Sequence, residues 1–434
     1  MTKLKVFKRV AGFVAAVAVA FSMCLPAFAS SADVVCTKTS EGVYVVSGSG
    51  TLESDIIPSD AVSVTVQEGI TSIAVNAFNN MPKLSQLSLP SSLQSVSSYA
   101  FSHIESLTEL TLPEGLERVD NEAFSDFDSL KKLNIPSTLS SIGKNAFDSM
   151  PSLETITVAG GNYFTAKNGI LFTADLTAIV RYPAGITAVS YTVPETVTTI
   201  KPYAFEGCTL LKDVVFSDGL TAIEESAFIS SGLTSLNLTG SIQKIGYRAF
   251  YNCQSLSSVT VAAESNSFCA IDNVLFSKDK KTLVYYPCAR PGTSYTVADF
   301  VARIEGGAIN RTQLEQLTVA PTVIEIGTWG ITGPSDYRKK LTIIGYAGSV
   351  VHTDSKEPSS VTFTSLGDHT YINGDVDCNG KVNIRDVVAL YQKASRKSVI
   401  INKTVSDVNA DSEISVRDVV LLYQFISDWD VTLK

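Results

Sequence analysis

The sequence predicts a β-rich α/β solenoid followed by a small α-helical module with two similar acidic loops. One observation is a phenylalanine spacing of 23 residues, repeated three times and then resumed after a gap at 23 and 22. These residues are Phe78, Phe101, Phe124, Phe147, Phe205, Phe228 and Phe250. The other is a run of oxygen-bearing side chains from Asp375 that recurs 32 residues later, from Asp407. A period of about 20 to 29 residues is typical of stacked arrays, in which neighbouring units bury each other's apolar face.

Residues 1–29 have the pattern of a secretory signal peptide. Basic residues precede an apolar run from Val10 to Phe21, and Ala27-Phe28-Ala29 forms a small-x-small cleavage site. The apolar run is shorter than the roughly 20 residues that a membrane-spanning helix needs. We therefore expect cleavage after Ala29 and a soluble, exported protein. Cys24 raises the alternative of a lipoprotein, although Phe21-Ser22-Met23 lacks the small residues of such a processing site.

Charge and cysteine content exclude several kinds of partner. The net charge of −9 becomes −13 without the signal, since 30 basic residues then face 43 acidic ones. This balance argues against binding to nucleic acid or to an anionic membrane. Six cysteines remain after Cys24 and none forms a C-x-x-C pair, so neither a zinc site nor a disulfide scaffold is indicated.

Residues 30–68 are expected to form an N-terminal β cap. Apolar and polar residues alternate here between turn signals, as in Gly42-Val43-Tyr44-Val45-Val46-Ser47-Gly48. Strands in this segment would cover the apolar end of the first coil.

Residues 69–365 are expected to form the solenoid. The segment from Leu116 to Pro136 shows one coil: two aliphatic residues three apart, then Ala-Phe, then Leu-x-x-Leu-x-Leu and often proline. The leucine segment fits a short strand, and Pro113 or Pro136 ends it because proline cannot donate to a sheet ladder. The Ala-Phe segment is expected to form a helical turn with the phenylalanine in the core.

The residues between the strand leucines are small or polar and form no aromatic row. They are Gln86, Ser88, Glu109, Thr111, Lys132, Asn134, Thr155, Thr157, Asp213, Val215, Ser235, Asn237, Ser258, Thr260, Gln316 and Thr318. Anchors for sugars or proteins are usually aromatic residues or arginine. The pattern indicates a solvated sheet face and names no ligand for the repeats.

Two units exceed the period and carry the same insert. Asn168-Gly169-Ile170-Leu171-Phe172 in the first corresponds to Asp272-Asn273-Val274-Leu275-Phe276 in the second. We expect a hairpin that widens the coil. In the second copy Cys269 and Cys288 replace Thr165 and Ala184, so either a disulfide between them or two free core thiols is expected.

The region from about residue 60 to 350 resembles the BspA-like leucine-rich repeats of bacterial surface proteins. The likeness rests on the Ile-x-x-x-Ala-Phe and Leu-x-x-Leu-x-Leu-Pro patterns, on the Asn-Gly-Ile-Leu-Phe insert and on the ending at residues 341–349. The asparagine ladder of general leucine-rich repeats is absent. The resemblance implies a binding or adhesion surface.

Beyond a predicted linker at 366–373, the segment 374–434 carries the two loops. The first loop places candidate calcium ligands at positions 1, 3, 5, 7, 9 and 12, with Gly380 at position 6. They are Asp375, Asp377, Asn379, Lys381 through its carbonyl, Asn383 and Asp386. Because calcium takes six to eight oxygens, this EF-hand-like spacing predicts a site for one ion.

The second loop repeats the arrangement, so two calcium ions are predicted. Its candidate ligands are Asp407, Asn409, Asp411, Glu413, Ser415 and Asp418. Ser412 replaces the glycine of the first loop, and for this reason the second site is expected to be the weaker. Each loop leads into an amphipathic helix, predicted over 385–395 and 417–427, with Asn383 and Ser415 as caps.

The duplicated loop and helix, without a helix before the first loop, resemble a dockerin, the module that binds cohesins on a scaffoldin. The resemblance implies a calcium-dependent, cellulosome-type component whose partner is a cohesin. It also implies recognition residues in each half. They are Ile384, Arg385, Tyr391 and Gln392, and Val416, Arg417, Tyr423 and Gln424. The Ser-Thr pair known from the family is absent, which indicates a different cohesin class.

Three functions follow from this reading. The first is a non-catalytic secreted component held at the cell surface through a scaffoldin, whose repeats act as a binding surface in polysaccharide degradation or attachment. The second is a dockerin-borne glycoside hydrolase or other hydrolase, although the three histidines, His103, His352 and His369, stand in no triad context and no Gly-x-Ser-x-Gly elbow occurs. The third is a surface adhesin.

Overall fold

The computed structural model describes residues 33–332, 340–347, 349–351, 361–368, 371–378, 380–397, 399–427 and 431–434. The predicted signal peptide, Cys24, His352, His369 and the candidate ligand Asn379 lie outside these residues.

The chain forms a long series of short strands followed by helices. In chain order the strands are β1 (Val35–Ser40), β2 (Val43–Ser47), β3 (Gly50–Leu52), β4 (Ser63–Val66), β5 (Ile70–Ile73), β6 (Phe78–Asn79), β7 (Gln86–Ser88), β8 (Ser95–Val96), β9 (Phe101–Ser102), β10 (Glu109–Thr111), β11 (Arg118–Val119), β12 (Phe124–Ser125), β13 (Lys132–Ile135), β14 (Ser141–Ile142), β15 (Thr155–Val158), β16 (Phe164–Lys167), β17 (Ile170–Thr173) and β18 (Ala178–Arg181). They continue with β19 (Ser190–Thr192), β20 (Thr199–Ile200), β21 (Asp213–Val215), β22 (Ala222–Ile223), β23 (Ser235–Leu238), β24 (Lys244–Ile245), β25 (Ser258–Val261), β26 (Phe268–Ile271), β27 (Val274–Ser277), β28 (Thr282–Tyr285), β29 (Ser294–Val297), β30 (Arg303–Ile304), β31 (Gln316–Val319), β32 (Glu325–Ile326), β33 (Leu341–Ala347) and β34 (Val361–Asp368). The helices are α1 (Ile384–Ala394), α2 (Lys403–Ser406) and α3 (Val416–Ile426).

The solenoid is built from parallel ladders that run along its length. An antiparallel β1–β2 hairpin starts the array, and β2 pairs in parallel with β4, which pairs with β7. Strands of the leucine segment then pair coil to coil, as in β10–β13–β15 and β29–β31–β33–β34. A second ladder, β3–β5–β8–β11–β14, is formed by the aliphatic pair that begins each coil.

The register of these ladders fixes which side chains form the core. Leu110 pairs with Leu133, which pairs with Ile156, and all three are buried. The alternate side chains of the same strands, such as Glu109 and Thr157, are exposed. All sixteen residues predicted for the solvated face are exposed or half-exposed, so that prediction is confirmed.

The repeating phenylalanines stack along the interior. Ring centroids are 4.5 Å apart for Phe78 and Phe101 and 4.9 Å for Phe101 and Phe124. After the first insert the stack resumes with Phe205 and Phe228 at 4.6 Å. Parallel strands lie about 4.8 Å apart, so equivalent rings in successive coils meet at stacking distance.

The prediction of a helical turn at Ala-Phe is wrong. Residues 33–332 contain no helix, and Phe78, Phe101 and Phe124 begin short strands that pair in parallel. The residue two before each of these phenylalanines has a positive φ, as for Tyr99 at 56° and Glu122 at 53°. A left-handed residue ends any right-handed helical run, so the segment turns sharply and then extends.

Each insert forms an antiparallel hairpin, as its spacing predicts. In the first copy β16 pairs with β17, and the turn residues Asn168 and Gly169 have φ of 52° and 79°. In the second copy Asp272 and Asn273, at 49° and 63°, form the same kind of turn between β26 and β27. Two positive φ values are the requirement of the tight hairpin turn that fits strand twist. The third strand of each insert, β18 or β28, then rejoins the parallel ladder.

The strand β34 extends to Asp368, three residues into the predicted linker, because it pairs with β33 along its length. After it, α1 and α3 pack over a separate small core. That core contains Val376, Val387, Leu390, Ile401, Val408, Val419 and Leu422. We call residues 371–434, as far as they are described, the C-terminal module.

Candidate metal centre and partner face

The C-terminal module repeats one local design twice. Helix α1 begins after Asn383, whose side-chain oxygen accepts a hydrogen bond from the Arg385 N–H at 2.9 Å. Helix α3 begins after Ser415, whose hydroxyl accepts from the Arg417 N–H at 3.1 Å. Asp386 and Asp418 complete the caps by accepting from the backbone N–H of the cap residue, each at 2.8 Å. The last candidate ligand of each loop is thereby fixed on the first turn of a helix.

The first loop brings three carboxylates together. One oxygen each of Asp375, Asp377 and Asp386 lies within 4.8 Å of the others. The loop curls around them, with the Gly380 N–H donating to Asp375 at 2.8 Å and the Asp377 N–H donating to Asp386 at 3.2 Å. Gly380 has a φ of 84°, the left-handed conformation that its position in the loop requires.

Burial raises the pKa of Asp386, and the nearby carboxylates of Asp377 and Asp375 act in the same direction. Asp386 is fully buried and Asp375 is 4% exposed. Gathering negative charge in a site with little solvent is costly unless a cation balances it. The donor set consists of oxygens only, which fits calcium better than zinc or another soft metal.

The second loop has the same path but a looser set of acids. Asp407 accepts from the backbone N–H groups of Asp411 at 3.0 Å and Ser412 at 2.8 Å. Ser412 adopts a φ of 70° where the first loop has glycine. The buried Oδ1 atom of Asp418 has no hydrogen-bond partner among the described residues. An orphaned buried carboxylate oxygen at this point fits a cation ligand.

The remaining candidate ligands take local roles. The Asn383 side chain donates to the Lys381 carbonyl at 3.1 Å in addition to capping α1. Asn409 accepts from the Asp411 N–H at 2.8 Å, and Asp411 accepts from the Glu413 N–H at 2.9 Å. These hydrogen bonds curl each loop, so that its candidate ligands face the same side.

The predicted recognition residues lie on matching outer faces of α1 and α3. Ile384 is 54% exposed and Val416 57%, while Tyr391 is 55% and Tyr423 51% exposed. Arg385 and Arg417 are exposed, and Gln392 and Gln424 are half-exposed. Exposed apolar and aromatic side chains next to arginine are typical of protein-binding faces.

The structure adds one residue to each face. Val388 is 48% exposed and Val420 49%, one turn beyond Ile384 and Val416. The spacing i, i+4, i+7 of Ile384, Val388 and Tyr391 marks a second apolar stripe, about a quarter turn around the helix from the buried one. Sequence reasoning missed it because an amphipathic helix is assumed to have a single apolar face.

The two faces differ in their surroundings. Ile384, Arg385 and Gln392 line a cavity of about 540 Å³ whose other wall is solenoid, including Asp299 and Phe300. Phe300 is 40% exposed. A partner on the first face would therefore also meet the solenoid.

A serine–histidine contact bears on the hydrolase alternative. Ser102 Oγ lies 2.8 Å from His103 Nδ1, and His103 Nε2 lies 3.6 Å from Asp126. The latter distance exceeds a hydrogen bond. Ser102 is 8% exposed and accepts a hydrogen bond from Ser125 at 3.0 Å. The contact therefore belongs to the serine ladder between coils and lacks the access that a nucleophile needs.

Among the described residues, no helix is both long and apolar enough to span a membrane.

Comparison with protein families identifies both regions. The model of the BspA type leucine-rich repeat region matches residues 59–168 and 185–288 in six copies, and that of the dockerin type I domain matches residues 373–427. A comparison with curated protein sequences finds no match.

Several solved structures are similar in fold. A leucine-rich repeat protein from Eubacterium ventriosum is 19% identical, with a TM-score of 0.48, and the match covers 79% of this chain and 95% of that one. The pneumococcal vaccine antigen PcpA is 16% identical, with a TM-score of 0.43, over 78% of this chain and 97% of that one. A leucine-rich cell surface protein from Faecalibacterium prausnitzii is 20% identical, with a TM-score of 0.32, over 71% and 73%.

Proposed function

For this chain, which joins BspA-type leucine-rich repeats to a C-terminal dockerin type I domain, we propose the function of a non-catalytic secreted component of a cohesin–dockerin complex. The dockerin binds a scaffoldin cohesin in a calcium-dependent way. The repeats act as a binding surface in polysaccharide degradation or attachment. Both kinds of module are binding modules, and both suggest an extracellular or cell-surface protein.

The observation that carries the proposal is the pair of matching faces beside the two loops. Ile384, Val388 and Tyr391 on α1 correspond in exposure to Val416, Val420 and Tyr423 on α3. Each face stands on a helix whose first turn holds an acid of a loop, Asp386 or Asp418. Binding of an ion by the loops would therefore fix the helices that present the faces. We assign two calcium ions to the module, one to each loop.

The test is calorimetry of the full chain against a panel of cohesins, with calcium or with a chelator. We expect one cohesin class to bind only with calcium, and Tyr391→Ala with Tyr423→Ala to weaken binding at least about tenfold. The matched control is Tyr163→Ala, because Tyr163 is 52% exposed but lies on the solenoid. Binding that survives chelation or the double substitution would contradict the proposal.

The role of the repeats needs a separate experiment. The polar side chains of their strand face form hydrogen bonds with one another. Thr157 donates to Asn134 at 2.6 Å, and Asn134 donates to Thr111 at 2.9 Å. Glycan and protein arrays probed with the full chain would identify its ligand. Hydrolysis of a glycan on the array by the full chain would favour the hydrolase alternative instead.

A further inference from the structure

Two buried cysteines lie next to each other where the second insert joins the preceding coil. The Ala289 N–H, which follows Cys288, donates to the Leu256 carbonyl at 2.8 Å. The Leu256 N–H in turn donates to the Cys253 carbonyl at 3.0 Å. These hydrogen bonds place the two cysteines in successive coils, and the coils are spaced like parallel strands, about 4.8 Å apart. This is within the roughly 4.4 to 6.8 Å that a disulfide spans between Cα atoms.

The first insert has the same frame without the thiols. There the Gly185 N–H donates to the Leu153 carbonyl at 2.8 Å, and the Leu153 N–H donates to the Met150 carbonyl at 3.2 Å. Met150 and Ala184 therefore occupy the places of Cys253 and Cys288. A long and a very short side chain fill the space in one copy, and two side chains of equal length fill it in the other.

Both sulfur atoms lie inside the solenoid, each beside a backbone carbonyl of a neighbouring coil. Cys253 Sγ lies 3.1 Å from the Phe228 carbonyl and 3.4 Å from Ser231 Oγ, and Cys288 Sγ lies 3.4 Å from the Asn310 carbonyl. Cys253 is fully buried and Cys288 is 2% exposed.

The two thiols also influence each other's ionisation. Burial raises the pKa of Cys253 to about 12, and the charge of Cys288 adds to this shift. Burial raises the pKa of Cys288 to about 11, while the Cys253 backbone N–H is among the groups that oppose the shift. The attacking species in disulfide exchange is the thiolate. In the folded chain neither thiol is ionised or accessible at neutral pH, so a bond between them has to form during folding.

We propose that Cys253 and Cys288 form a disulfide when the chain folds under oxidising conditions, and that this bond fastens the second insert to the coil before it. The oxidant is a disulfide, either of low molecular weight or on a thiol oxidoreductase. Each cysteine gives up one proton and one electron, one S–S bond forms, and the oxidant is reduced to two thiols.

The sequence analysis left open a disulfide between Cys269 and Cys288 or two free thiols. We propose Cys253 instead of Cys269 as the partner of Cys288. Cys269 is half-exposed, and its sulfur donates to the Ser277 carbonyl at 3.4 Å within the hairpin. Its position corresponds to Thr165 of the first copy, on β16.

The experiment is oxidative refolding of the full chain in a glutathione redox buffer. Free thiols are then alkylated, and the chain is cut with trypsin and an enzyme specific for glutamate, without reduction. Cleavage after Glu264 separates Cys253 from Cys269. We expect a cross-linked pair of peptides, one containing Cys253 and the other Cys288, two hydrogen atoms lighter than the free peptides. Complete alkylation of both residues, or a link from Cys288 to Cys269, would overturn the proposal.

Two variants make the result independent of any effect on folding. Cys253→Met with Cys288→Ala transplants the pair of the first insert and should fold. A reductant should lower the melting temperature of the wild-type chain but leave that of this variant unchanged. In Cys269→Thr, also taken from the first insert, a reductant should lower the melting temperature as in the wild type. The same fall in both variants, or in neither, would overturn the assignment.

Discussion

The solenoid and the C-terminal module are stabilised in opposite ways. The solenoid core is built from stacked aromatic rings and aliphatic residues, such as Phe101 and Phe124, both fully buried. The module has an aliphatic core without phenylalanine and also buries Asp375, Asp386 and Asp418. Burial of negative charge is costly unless a cation balances it, so we expect the module, unlike the solenoid, to need a cation in order to fold. The comparison predicts that two repetitive regions of one chain need different conditions to fold.

Calcium removal should separate the two regions most strongly. With a chelator, we expect the full chain to lose the helical circular dichroism signal of α1 and α3, while the β signal of the solenoid is retained. The reason is repulsion among Asp375, Asp377 and Asp386, together with the uncompensated burial of Asp418. Helicity that is unchanged without calcium would remove the contrast between the two regions.

A core truncation should act on the solenoid alone. Phe124→Ala removes a ring stacked between those of Phe101 and Phe147, at 4.9 and 5.8 Å. We expect a loss of about 3 to 5 kcal/mol in the free energy of unfolding, with or without calcium. Lys132→Ala on the solvated face is the control and should cost under about 0.5 kcal/mol. Equal shifts in melting temperature for the two would mean that core and surface are wrongly assigned.

The solenoid has a largely buried acid of its own, Glu206, which should make its stability depend on pH instead of calcium. Burial raises the pKa of Glu206 to about 7, against the lowering effect of Arg181 at 2.9 Å. Because folding favours the protonated form, this residue should make the solenoid less stable as the pH rises from about 4.5 to about 7. The change should be about 1 to 3 kcal/mol.

Thermal melting across this pH range, for the wild type and for Glu206→Gln, measures the effect. In Glu206→Gln, the melting temperature should depend less on pH than in the wild type. Glu225→Gln, which removes the surface partner of Lys144 at 2.7 Å, should leave it in place. An unchanged slope in Glu206→Gln would show that the residue stays ionised as a partner of Arg181.

Repetition should also have different consequences for binding. Each coil needs its neighbours, but each half of the module presents a complete face, so a cohesin could bind in two orientations. Arg385→Ala alone should then cost only a factor of about two in affinity, roughly 0.4 kcal/mol, whereas removing Arg385 and Arg417 together should cost far more than the sum.

Calorimetry of the two single variants and the double variant against a cognate cohesin tests this symmetry. If Arg417→Ala alone abolishes binding and Arg385→Ala has no effect, the solenoid wall near Phe300 blocks the first face. If the reverse holds, the second face is only a relic of duplication.

The sequence alone determined the features that repeat along the chain. The phenylalanine period predicted the stack, the alternation within strands predicted the solvated face, and the spacing from Asp375 to Asp386 predicted the group of acids. Each depends on residues close in sequence or on exact copies of one unit, so local geometry and repetition are sufficient. The prediction places the helix of each half one residue too late at both ends, at 385–395 and 417–427 instead of Ile384–Ala394 and Val416–Ile426, and an error of this size is usual at helix ends.

Only the tertiary structure decided which different residues meet. The Ala-Phe segment is extended because of a left-handed residue such as Tyr99, a backbone conformation that side-chain patterns do not reveal. Cys288 adjoins Cys253 because the insert returns to the coil that precedes it, and the number of residues between two cysteines does not contain that information. The outer stripe through Val388 and Val420 is recognisable only once it is known which sides of α1 and α3 are buried between the two helices. In the first two cases the path of the backbone between coils decides, and it is set by the hydrogen bonds of the array; in the third, the packing of the two helices decides.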